Sequence, residues 1–112
     1  DPDALLHEAE RRDPKSPYVQ YRWANVRTRE GRDEEALVHA LRALEFFPFR
    51  ATRANGSVTL RFMLQRVLKL QAGLGHRVAA RETLTRLRGV GPNTAERMER
   101  AYPWLAGPPT AR

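Results

Sequence analysis

The chain has 112 residues, 41% of them hydrophobic and 29% charged, enough for one domain around a single core and too apolar for a disordered segment. It contains no Cys, which excludes disulfides and thiolate metal sites, and its three histidines, His7, His39 and His76, lack the i, i+3 or i, i+4 spacing that pairs imidazoles on one helix face. Its net charge of +7 is uneven: residues 1–48 carry 8 basic and 10 acidic groups and residues 49–112 carry 12 and 3, which points to an anionic partner for the C-terminal half or to a solvated arginine-rich surface.

Helical periodicity runs almost throughout, interrupted where Gly, Pro and Asn gather. A first helix is predicted from about Asp3 to Arg12, with Leu5, Leu6 and Ala9 on one face and Asp1 or Asp3 beside the free amides at its start. Asp13-Pro14 ends it. Ser16-Pro17, a capping residue followed by Pro at the first helical position, opens the second, which directs Val19, Trp23 and Val26 toward a core until Gly31. Asp33 opens the third, Glu34 to about Phe46, whose Ala36, Leu37, Ala40, Leu41 and Leu44 form a wide apolar stripe, and Pro48 closes it. The stretch after Pro48 reads as a loop, with Asn55-Gly56 as a turn and Ser57 as the cap of a fourth helix. That helix, about Val58 to Ala72, presents Leu60, Met63, Leu64, Val67 and Leu70. Gly73-Leu74-Gly75 separates it from the fifth, residues 76–88, with Val78, Ala79, Thr83, Leu84 and Leu87 inward. Beyond Gly89, Gly91 and Pro92 a short sixth helix runs from Asn93 to about Tyr102, ahead of a Pro-rich flexible tail, 106–112.

Leu6 and Ala40, Ala9 and Ala43, and Pro14 and Pro48 are each 34 residues apart. The segment SPYVQYRWANVRTREGRDEEALVHALRALEFFP, with Gly31 at its turn, Ala36 early and Ala43 late in its second helix and Pro48 at its end, resembles a tetratricopeptide repeat. Trp23 and Ala24 stand where that family usually has Leu and Gly, and Arg27 replaces its usual aromatic. The resemblance implies an all-α, right-handed solenoid of antiparallel helical hairpins spanning residues 1–105. Residues 2–14 would be a partial repeat, 16–48 a full one, 58–92 a repeat stretched by ten residues in the loop around Asn55, and 93–102 a closing helix. A chain of this kind is expected to be a module of a larger, bacterial-type protein, with each hairpin buried only against its neighbours.

In that family the first helix of each hairpin lines a concave groove that reads a peptide. The matching positions here are Tyr18, Tyr21, Arg22, Asn25 and Arg29, then Phe62, Gln65, Arg66 and Lys69. Arg forks carboxylates bidentately, so the resemblance implies a protein or acidic peptide as partner. Asn25 falls where carboxylate-clamp members keep Asn, whereas Tyr21 replaces their Lys. A competing signal is LTRLRGVGPNTAERM, which resembles the helix-hairpin-helix element of DNA-binding proteins. It implies phosphate contacts from Gly89, Val90, Gly91, Asn93, Thr94 and Arg97, with Arg86 and Arg88 nearby, and hence sequence-independent nucleic-acid binding. The same turn also reads as a plain helix ending followed by Pro. Self-association is a third reading.

No phosphate loop, Ser/His/Asp arrangement or carboxylate pair in an apolar setting stands out, so no catalysis, cofactor or metal is expected. Glu34-Glu35 and Glu96 with Glu99 lie on predicted solvated faces beside arginines. No apolar run approaches the ~20 residues that a membrane span needs.

Overall fold

A computed structural model describes residues 2–47 and 54–106, and every element within them is helical. In chain order these are α1 (Pro2–Arg12), α2 (Pro17–Arg29), α3 (Asp33–Phe46), α4 (Ala54–Gly73), α5 (Arg77–Val90) and α6 (Pro92–Ala101), closed by a 3-10 turn, Pro103–Ala106. Pro48, the start of the predicted loop and the tail from 107 onward lie outside the described residues.

Most predicted boundaries agree within two residues, the start of α4 excepted. Asn55 and Gly56 do not form a turn, because α4 is already running at Ala54. Asn, Gly and Ser are tolerated in a first helical turn, where free amides are common, so a turn dipeptide there does not force a break. Likewise Gly89 belongs to α5, which continues through Val90.

The α2 start follows the expected rule: Pro17 sits in the first turn and Ser16 Oγ accepts from the Val19 amide at 3.3 Å. The α2–α3 and α4–α5 connections share one geometry. Gly31 and Gly75 have φ of 76° and 80°, left-handed values at which an L side chain is strained. At the first, the Arg32 amide donates to Arg27 O (2.8 Å) and the Gly31 amide to Thr28 O (3.0 Å). At the second, His76 donates to Gln71 O (2.8 Å) and Gly75 to Ala72 O (3.2 Å). Each turn thereby satisfies two of the orphan carbonyls of the preceding helix by the same two-bond motif.

The main packing follows chain order: α1 on α2, α2 on α3, α3 on α4, α4 on α5, α5 on α6, with the 3-10 turn against α5 and α6. Ala24, Ala36 and Ala40 are almost fully buried with Leu37, Val67 and Leu70. Leu64, Leu68, Ala80, Leu84, Leu87, Ala95, Met98 and Leu105 form the largest cluster, at the α4–α5–α6 end. Leu44 packs against both clusters and against a third made of Ala43, Phe47 and Met63. The resulting body measures 50 × 33 × 17 Å, its short axis about two helices thick.

The predicted inward faces need correction at their edges. Leu5 and Val78 are 75% and 70% exposed, and Leu41 is also exposed, while Val19, Val26 and Leu60 are only half-buried. Gln20 and Gln71 are buried as well, beside the expected Thr83. Each of these polar groups is satisfied across a helix pair: Thr83 Oγ1 donates to Gln71 Oε1 at 2.6 Å, and Gln20 links Glu10 (2.9 Å) to His39 (2.8 Å). Trp104 and Arg81 close the C-terminal end, the Arg81 guanidinium donating to Trp104 O at 3.1 and 3.3 Å while Arg77 lies 4.9 Å over the indole.

Candidate binding surface

The nine residues expected to line a groove are divided between two depressions on either side of α2. The larger, about 610 Å³, lies between α1 and α2 and is lined by Tyr18, Arg22, Asn25 and Arg29 together with Leu5, Leu6, Ala9, Val19 and Val26. The smaller, about 200 Å³, lies between α2 and α4 and is lined by Tyr21, Phe62, Gln65, Arg66 and Lys69. At 100° per residue, Tyr21 turns toward α4 while Tyr18, Arg22 and Arg29 turn toward α1, so α2 forms the ridge between the depressions.

The apolar wall of the larger depression lies outside the set of expected groove positions. The sequence directs Val19 and Val26 toward a core and puts Leu5 on one helix face with Leu6 and Ala9. Their spacing is helical either way, and periodicity alone cannot distinguish a face that meets a helix from one that borders a cleft.

No carboxylate lines either depression. Arg22, Arg29, Arg66 and Lys69 form no ion pair among the described residues, whereas Arg11, Arg12, Arg27, Arg32, Arg88 and Arg100 all do. The cations that line the two depressions are therefore not neutralised by a neighbouring carboxylate. Phe62 and Tyr18 are 50% and 57% exposed, with the Arg61 guanidinium 5.4 Å from the Phe62 ring centroid. Asn25 Oδ1 is buried without a hydrogen-bond partner.

Behind the ridge, Trp23 is 2% exposed and held by three groups. His7 meets it edge-on at 4.9 Å, His39 stacks at 5.7 Å, and the Arg27 guanidinium lies 4.7 Å from the ring centroid. Arg27 in turn pairs with Glu30 at 2.8 Å and with Asp3 at 3.5 Å. With Gln20 Nε2 donating to Glu10, Gln20 Oε1 is left to accept from His39, so Nδ1 carries the proton. Burial pushes the His39 pKa down, and the nearby Arg42 and Arg27 charges reinforce this against the opposing pull of Glu10 and Glu35. Around the Gly31 turn, Arg27 and then Arg32 hold the Glu30 carboxyl below its ordinary range.

The second set of predicted residues is arranged differently from an open hairpin. Gly89 and Val90 end α5, and the Gly91 amide donates back to Leu87 O at 2.7 Å. Gly91 is buried beneath Arg61: a Cβ there would sit 2.4 Å from Arg61 Cδ. Ala95 donates to Gly91 O at 2.9 Å and Pro92 has no amide hydrogen, which leaves Asn93 and Thr94 as the first-turn amides without an intrahelical acceptor. Thr94 is itself buried, its Oγ1 accepting from Arg97 Nη2 at 3.2 Å. Arg88 pairs with Glu99 and Arg100 with Glu96, both at 2.9 Å. Val90, Ala95 and Met98 pack into the largest core cluster.

Among the described residues there is no group of three or more His, Asp or Glu able to hold a metal ion, and no helix long and apolar enough to cross a membrane. No protein-family model, no curated protein and no solved structure matches the chain.

Proposed function

We propose that the chain is a non-enzymatic protein-interaction module, organised in the manner of a tetratricopeptide array, that holds a peptide or partner protein on the face formed by α1, α2 and α4. Two helix pairs with the same glycine turn, the close packing of Ala36 and Ala80 and the predominance of chain-neighbour packing support the array reading. The binding reading is carried by the charge of the face: two adjoining depressions, no lining carboxylate, four cations without acidic partners and two exposed aromatics. A site with these groups attracts carboxylates while its aromatic and aliphatic walls cover apolar side chains.

Selection of random displayed peptides against the wild-type chain and against the Arg22→Glu/Arg66→Glu variant tests this. Acidic sequences should enrich on the wild type and not on the variant, whose helicity and thermal midpoint stay near wild type because both residues retain solvent contact. Equal enrichment on both proteins overturns the reading. So does retardation of duplex DNA at low salt, abolished by Arg86→Glu/Arg97→Glu, from a chain that enriches no peptide; that result establishes the nucleic-acid alternative. Light scattering of the same samples reads out self-association.

A further inference from the structure

The two glycine turns are 44 residues apart, and the offset extends well beyond them. Gly31 maps to Gly75, the buried Ala36 to the buried Ala80, and His39 to Thr83, each of the last pair forming a cross-helix bond to a glutamine. Applied to the exposed faces of α2 and α4, the same offset maps Tyr18 onto Phe62 and Arg22 onto Arg66. In both helices the aromatic and the arginine are four residues apart, so they share a face one turn from each other, roughly 6 Å along the axis. Both aromatics are exposed and neither arginine has an acidic partner.

We infer that this face carries one ligand subsite twice, and that its occupant is an acidic peptide bearing two carboxylate-plus-apolar units in tandem. The inference rests on the peptide-binding reading above and adds to it the number of subsites and the spacing of the ligand. Each arginine takes one glutamate carboxylate and each neighbouring ring covers one aliphatic side chain. Tyr21 and Phe62 line the same depression, so α2 and α4 lie side by side, at a separation on the order of 10 Å for neighbouring helices. A peptide crossing both in extended or polyproline conformation advances about 3.1–3.4 Å per residue, so residues three apart meet equivalent groups. The ligand repeat is therefore three residues.

Fluorescence-anisotropy titration with synthetic peptides separates the possibilities. The set holds one Glu-Leu unit, two units at a three-residue period, and two units at periods of two and five, each flanked by Gly and Ser to constant length. The protein set is wild type, Arg22→Glu, Arg66→Glu, the double variant, and Arg42→Glu on α3 as a charge-matched control outside both depressions. The three-residue tandem should bind at least tenfold more tightly than the single unit, the other periods giving less. Either groove variant should reduce the tandem to the affinity of the single unit while changing single-unit binding about twofold, since one subsite remains. The double variant should bind neither, and Arg42→Glu should leave the tandem preference intact.

Equal affinity for tandem and single peptides, with only one arginine mattering, overturns the duplicated subsite but leaves the binding face standing. The duplication is equally overturned if a period other than three is preferred by tenfold. Binding of all peptides unaffected by the double variant overturns both the duplication and the face on which it depends.

Discussion

His39 is the residue whose protonation is most directly tied to packing. Its imidazole donates to buried Gln20 and stacks on Trp23, and burial together with Arg42 and Arg27 lowers its pKa below the ordinary 6.5. A lowered folded value means that, in the window below 6.5, the unfolded chain binds more protons than the native one, so stability rises with pH there. The contribution of neutral His39 is complete above the unfolded value and is lost as pH falls toward the folded one. Urea unfolding followed by circular dichroism should accordingly give midpoints that decline from about pH 7 to 5, and His39→Gln, which can still donate to Gln20, should flatten that decline. An unchanged slope in the variant would place the dependence on other groups. The second buried polar bond makes a charge-independent prediction. Thr83→Val keeps the volume but leaves Gln71 Oε1 buried without its donor, a change expected to cost roughly 1–3 kcal/mol. Adding Gln71→Leu should recover part of that loss, because the unsatisfied acceptor is removed; strictly additive single and double effects in thermal unfolding would show that the bond carries no coupling.

Glycines within and between the helices separate two physical roles. Gly31 and Gly75 occupy left-handed turns, so alanine at either should cost about 1 kcal/mol despite open space around both. Gly89 is inside α5, has no neighbour within 4 Å and lacks a positive φ, so Gly89→Ala should raise stability by about 0.5–1 kcal/mol. Thermal midpoints of the three variants check this, and a destabilised Gly89→Ala would mean that the end of α5 requires glycine after all. The helical character of these elements was legible in the sequence from periodicity, the Ser16-Pro17 start and the two terminating glycines. Their exact inward faces were less so. Gln20 and Gln71 look like surface residues until their partners on other helices are known, and Val19 and Val26 look like core until a cleft is found beside them. Asn55-Gly56 misled because a turn dipeptide is also compatible with a helix start. The nine groove positions came from the family resemblance, and the structure divides them between two depressions, a division that depends on how α2 is rotated between α1 and α4.

At the scale of the whole molecule the two tryptophans report on opposite ends, Trp23 among α1, α2 and α3 and Trp104 against α5. A chain packed mainly between sequence neighbours can lose cooperativity if its joints are weak, since each unit depends only on the next. The joint here is Leu44, the α3 side chain that reaches all three core clusters, with Val67 and Leu70 of α4 packed against α2 and α3 residues from the other side. That shared packing should make the ends unfold together, so single-tryptophan variants, Trp23→Phe or Trp104→Phe, followed by fluorescence in urea should give the same midpoint once corrected for each variant's own stability by circular dichroism. Leu44→Ala removes the shared side chain and should cost about 2 kcal/mol, with a further consequence that a purely local cavity would not produce. The loss should fall unequally on the two halves. The Trp104 reporter, set beside the larger cluster, should retain a higher midpoint while the Trp23 end unfolds earlier. Divergent midpoints in the wild-type background would show that the ends are uncoupled before Leu44 is touched, and coincident midpoints in Leu44→Ala would place the coupling in the α4 contacts instead.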